Sequence, residues 1–242
     1  MLSKILKKFF ENNSSTCQDA TTEADDNNRE NKNLETSQRI GKPGEYNFNI
    51  HPDQLPAEFR YIKDILISNS NIKSGYSQID QVVITPYAIF IIEIKNNSGT
   101  INGDKNREIW SVNDKLPMTN PFNQNDCHIE GIKSILEKWD KIQYVSMVSF
   151  NKSCTLKVNE ELRKIQSNDL VVYDTEFSEF VTRKINVLKH QNPEPILSNN
   201  DIEDIYNKLM SANIKDMQIR GMLVDKLENL NNIETTSNER NL

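Results

Sequence analysis

The stretch from Ser77 to Lys95 reads SQIDQVVITPYAIFIIEIK. Its Ile and Val content describes a buried β-hairpin, yet it carries Asp80, Glu93 and Lys95. Charge in an apolar sheet is costly unless it is paired or binds something. A tight turn at Pro86-Tyr87 sets a register in which Thr85 faces Ala88, Ile84 faces Ile89, Asp80 faces Glu93 and Gln78 faces Lys95. Side chains alternate between faces, so Glu93 and Lys95 share one face and Ile94 takes the other. Cross-strand partners have Cβ atoms about 4.5–5.5 Å apart, so Asp80, Glu93, Lys95 and Gln78 are expected to form one polar cluster. Two facing carboxylates repel. A divalent cation between them removes the repulsion, and Mg2+ is typically held by one or two carboxylates. A lysine beside such a site can stabilise developing negative charge or position a water. These parts suit hydrolysis of a phosphodiester by Mg2+ (or Mn2+). An E-x-K in a strand is more often a plain salt bridge; the opposing Asp80 is what favours a metal site.

The elements that must position these groups follow from the pattern around them. A helix is expected over Gly44 to Leu55, limited by Pro52 and Pro56. A strand spans Phe59 to Ile67, Asn69 to Gly75 turns, and the hairpin comes next. NNSGTING reads as loop, and a short strand around Glu108 to Val112 holds Trp110. Asn120-Pro121 then opens a helix to about Trp139, with Asn120 as N-cap and Pro121 as first helical residue. Ile142 to Phe150 is a buried strand, and Leu170 to Asp174 another. A helix covers Glu176 to Leu188, Pro193 and Pro195 mark a break, and a last helix runs from Asn200 to about Leu230. On the helix after Asn120, Gln124 and His128 lie one turn apart and share a face that can reach substrate phosphate.

The series GKPGE, SQIDQVVITPYAIFIIEIKNNSG, a tryptophan and NPFNQN resembles the NERD domain, the nuclease-related domain. That domain is itself assigned to the PD-(D/E)XK nuclease-like superfamily. The resemblance covers Gly41 to Phe150. It implies an α/β, restriction-endonuclease-like α-β-β-β-α-β core, with a mixed central sheet flanked by helices. It also implies a metal-dependent nuclease site with DNA as substrate or ligand. Carried over residue by residue, Asp80 and Glu93 would ligate Mg2+ with the carbonyl of Ile94, and Lys95 would orient or activate the attacking water. Glu45 would match the family's upstream acid, and Gln124 the glutamine that contacts phosphate or braces the site. The sequence departs from the family at three places. Gln81 stands where His is usual, Ala88 where the hairpin turn usually has Gly, and Asn97 where an aromatic is frequent.

The chain has 242 residues, 36% hydrophobic, and a formal net charge of -6. Its mean hydropathy is -0.67. Part of it is therefore expected to lie outside any core. The acidic balance argues against sequence-independent polyanion binding, which rests on excess Lys and Arg. The organisation expected is a short amphipathic helix over 1–11, a flexible polar linker over 12–39, a nuclease-like domain over 40–190 and a C-terminal helical extension over 191–242. MLSKILKKFF sets Leu2, Ile5, Leu6, Phe9 and Phe10 against Lys4, Lys7 and Lys8, a pattern suited to weak contact with an anionic membrane surface. No signal-peptide cleavage region comes after it and no apolar run spans a bilayer. The expectation is a cytoplasmic, non-secreted protein, peripheral to the membrane at most. Nucleophilic Ser or Cys chemistry has no support, since no G-x-S-x-G occurs and adjacent Cys127 and His128 do not face each other on a helix. A Walker A loop is absent. The alternative to a nuclease is an inactive module of the same fold that binds nucleic acid or a protein partner.

Overall fold

The computed structural model describes residues 55–72 and 74–220. The expected helices over 1–11 and 44–55, the linker over 12–39, Glu45 and the stretch beyond 220 lie outside the described residues.

The runs rich in Ile and Val become the strands of a five-stranded mixed sheet, ordered β1-β2-β3-β7-β9. The first three are β1 (Arg60–Ser68), β2 (Tyr76–Ile84) and β3 (Ile89–Lys95), and they run antiparallel. β7 (Tyr144–Phe150) and β9 (Asp169–Tyr173) continue the sheet parallel to β3. The parallel step from β3 to β7 is made possible by a long crossover that includes α1 (Pro121–Ile135). Asn120 caps α1: its side-chain oxygen accepts from Phe122 N at 3.0 Å, and Pro121 opens the first turn. Two more helices, α2 (Phe177–Gln191) and α3 (Asn199–Ala212), complete the layers.

Alternation along the strands sorts the core. Ile89 and Ile91 join Ile132 of α1 and Ile205 of α3 on one face. Phe90 and Ile92 join Phe177 and Val181 of α2 on the other. The hairpin register is the one its turn dictates: Ile84 pairs with Ile89 and Gln81 with Ile92. The turn is closed by Thr85, whose N–H donates to Ala88 O at 3.0 Å and whose Oγ1 donates to the same carbonyl at 2.7 Å. Ala88 is not among the residues at positive φ, so this turn does not need the family's glycine.

Three expectations are corrected. NNSGTING is not all loop, because β4 (Thr100–Gly103) forms there. β4 belongs to a second, four-stranded sheet, ordered β6-β5-β4-β8, with β5 (Ile109–Val112), β6 (Leu116–Thr119) and β8 (Thr155–Val158). The helix after Asn120 ends at Ile135 rather than Trp139. The helix expected from Asn200 to about Leu230 is interrupted after Ala212, because the next residues pair with β1: Ile214 N donates to Leu66 O at 2.8 Å, and helix resumes at Met217.

Trp110 packs between Phe122 and Phe150, with ring centroids at 5.9 and 6.4 Å, and belongs to the core. Gly103 lies under its indole, where an added Cβ would stand 2.1 Å from Trp110 Cδ2. Gly103→Ala is therefore expected to lower stability by about 1–3 kcal/mol in denaturant melts, the range for overpacking a tight core.

Candidate active site

β3 carries its alternation through to its end. Ile89 and Ile91 face α1, so Glu93 and Lys95 do too, and there they meet the face of α1 that holds Gln124 and His128. Glu93 is 0% exposed and Lys95 4%. Lys95 Nζ lies 3.1 Å from Glu93 Oε1 and donates to Gln124 Oε1 at 3.2 Å. His128 Nε2 lies 3.9 Å from Glu93 Oε2. The one-turn spacing of Gln124 and His128 thus matches the two-residue spacing of Lys95 and Glu93.

Asp80 enters from β2. In an antiparallel ladder, pairs that exchange backbone bonds alternate with pairs that do not. Thr85 and Ala88 are bonded, which would make Gln81–Ile92 and then Ile79–Ile94 bonded pairs. The ladder instead stops at Gln81–Ile92, and the Ile94 N–H donates to Asp80 Oδ2 at 2.7 Å. The Asp80 carboxylate therefore sits at the fork where β2 and β3 part. Its negative charge is felt across the sheet by Tyr61, whose phenol is pushed far above its usual range, first by burial and then by Asp80.

Gln78 is not brought into this group. Its Nε2 donates to Asp64 Oδ1 of β1 at 2.6 Å. Glu45 and His51 lie outside the described residues. Gln81, which stands where the family has His, is fully buried, and neither end of its amide has a hydrogen-bond partner among the described residues. Asn125 carries no signal of its own in the sequence, although it sits beside Gln124 in NPFNQN. Its Nδ2 donates to Ser146 Oγ at 2.9 Å and reaches the carbonyls of Ile91 and Met147 at 3.3 Å, which pins α1 over β3 and β7.

Residues 40–151 match the model of the nuclease-related domain, NERD. The sequence resemblance is borne out over that span. The chain is also 29% identical over 157 residues to an uncharacterized protein of Bacillus anthracis, a stretch covering 63% of this chain and 68% of that one. No solved structure gives a significant match. Asp80, Glu93, Lys95, Gln124 and His128 all fall inside the nuclease-related domain, whereas β8, β9, α2 and α3 lie beyond it. No helix among the described residues is long and apolar enough to cross a membrane.

Removing one member of a buried ion pair strands the other charge. Lys95→Met is expected to cost about 3 kcal/mol of stability at neutral pH, and a second change, Glu93→Gln, to recover most of it; a double-mutant cycle of urea melts checks this. Tyr61 gives a separate test. Its hydroxyl is buried without a hydrogen-bond partner among the described residues. Because its folded pKa is raised, the folded protein keeps a proton that the unfolded chain releases above about pH 10. Stability from this group is therefore complete below that pH and falls as pH rises further. Tyr61→Phe should be neutral or stabilising by about 1 kcal/mol at pH 7. It should also flatten the loss of stability above pH 10 in part only, since burial pushes Tyr144 up to about 12 as well.

Proposed function

We propose that this protein hydrolyses phosphodiester bonds in DNA, with Mg2+ (or Mn2+) held by Asp80, Glu93 and the carbonyl of Ile94. The observation that carries the reading is the meeting of Glu93, Lys95 and Gln124 beside the fork occupied by Asp80, inside a nuclease-related domain. Among the described residues no three His, Cys, Asp or Glu side chains form a metal-binding group. The donors present, two carboxylates and a carbonyl, are nonetheless the hard oxygen set that suits a small divalent cation retaining several waters. Glu45 is the further acid implied by the family resemblance.

When bound, the cation supplies Lewis-acid polarisation of the scissile phosphate. The chain's own groups do the rest. Lys95 orients the attacking water and offsets negative charge growing on the phosphoryl oxygens. Gln124 accepts from Lys95 through Oε1, while its buried Nε2 has no hydrogen-bond partner among the described residues and is the donor suited to a phosphate oxygen. Glu93, between Lys95 and His128, holds both side chains near the reacting groups.

The near-complete burial of Glu93 and Lys95 favours a second reading, in which the pair is a structural remnant and the domain binds nucleic acid or a protein partner without cleaving. On that reading residues 1–11 would add a weak membrane contact. One experiment separates the two. The full chain is incubated with supercoiled and linear DNA and with RNA, in Mg2+ or Mn2+. DNA cleavage is expected, lost by at least about 100-fold in Asp80→Asn and Glu93→Gln, the scale for removing one electrostatic element of a site. Absence of cleavage, together with absence of Mn2+ binding by calorimetry, would overturn the nuclease reading.

A further inference from the structure

Asp64 has φ 53°, a left-handed backbone in the middle of β1 and uncommon for a residue other than glycine. The β1–β2 register pairs Lys63 with Gln81 and Ile65 with Ile79, and it skips Asp64 and Asp80, the residues between them. Both strands change face at that step. Ile62 and Ile65 lie three positions apart, which in a regular strand means opposite faces, yet both pack in the same core; Val82 and Ile79 do likewise. The face switch takes Asp80 out of the ladder and leaves its carboxylate at the Ile94 amide.

Asp64 is clamped. Gln78 Nε2 donates to its Oδ1 at 2.6 Å, and Arg220 donates through Nη1 to its Oδ2 and through Nη2 to its backbone oxygen, each at 3.2 Å. Arg220 is itself aimed by the segment after α3. Its Nε donates to Ile214 O at 2.9 Å, and that segment is fixed to the edge of β1 through Leu66 N donating to Asn213 Oδ1 at 3.1 Å. The Arg220 side chain is only 12% exposed. It lies well outside residues 40–151.

We propose that Arg220 is a positioning residue for Asp80: by holding Asp64 in its left-handed conformation, the C-terminal segment sets the face switch that delivers the Asp80 carboxylate to the fork between β2 and β3. Its importance for function rests on the reading of Asp80 as a metal ligand; its structural content does not.

The test is amide hydrogen exchange by NMR in the full chain, with Mn2+ affinity measured alongside by calorimetry. In Arg220→Ala the Ile94 amide should exchange about tenfold faster or more, while Val83 and Phe90, in the intact ladder, change less than about twofold. Mn2+ affinity should fall by about tenfold, as for loss of a group that orients a ligand. Adding Asp64→Gly, which adopts positive φ without a Cβ penalty, should restore both readouts. Unchanged protection at Ile94, or equal loss at Ile94, Val83 and Phe90, would overturn the proposal, as would failure of Asp64→Gly to rescue. The Ile94 response in Arg220→Ala, together with wild-type protein that binds no Mn2+, would sink the metal reading and leave the clamp standing.

Discussion

A carboxylate and an ammonium can lie at the end of an Ile-rich strand only if each is held against the other and against further polar atoms. Taking either charge out of water costs several kcal/mol, and Coulomb attraction offsets that only in good geometry. Glu93 and Lys95 meet the condition two residues apart on one face of β3, with Gln124 and His128 of α1 closing over them. The condition reaches outward. α1 must cross the sheet at one height, and Asn125 fixes that height by bonding to both β3 and β7. β2 must also part from β3 at Asp80, since the Ile94 amide that would otherwise bond Ile79 across the ladder goes to the Asp80 carboxylate.

Much of this was legible in the sequence. A two-residue turn at Pro86-Tyr87 leaves a single register, and strict alternation then assigns Glu93 and Lys95 to one face without further information. Asn120-Pro121 is a strong helix start, and a helix fixes which residues share a face, so Gln124 and His128 could be placed together. The elements not legible there lack a local signal. LPMT and TLKV are four-residue strands with half-exposed side chains, one of them containing proline, and they become strands only because β5 and β4 lie beside them. The end of α3 carries no Gly or Pro. Pairing of Asn213 and Ile214 with Leu66 overrides a helical pattern that would otherwise continue.

The face switch in β1 and β2 was the least legible feature. RYIKDILIS and YSQIDQVVI both read as ordinary strands, and nothing in either says that alternation breaks at Asp64 and Asp80. The cause lies 156 residues away in sequence, where Arg220 grips Asp64. Gln78 was expected in the cluster by extrapolating the β2–β3 register past Asp80. The register ends there, and Gln78 serves Asp64 instead. The Gly-to-Ala departure at Ala88 is harmless for a similarly local reason, since Thr85 closes the turn without any residue at positive φ.

The second sheet looks like an appendage, but it fixes the site along the axis of α1. The Asn120 amide donates to the carbonyls of Lys105 and Arg107 at 2.8 and 2.9 Å, and Asn120 N donates to Glu108 O at 2.9 Å. All three acceptors belong to the β4–β5 connection. One turn further along the helix stands Gln124, which must reach Lys95. A helix advances 1.5 Å per residue, so a shift of one residue in how Asn120 docks would stretch the 3.2 Å bond between Lys95 and Gln124 beyond hydrogen-bonding range. Trp110, wedged between Phe122 of α1 and Phe150 of β7, makes the same junction rigid through packing. The small sheet therefore acts as a gauge for α1, as the C-terminal segment acts as a gauge for β1. The parts of the candidate site are thus placed by distant parts of the chain, Gln124 through the second sheet and α1, Asp80 through the segment beyond α3.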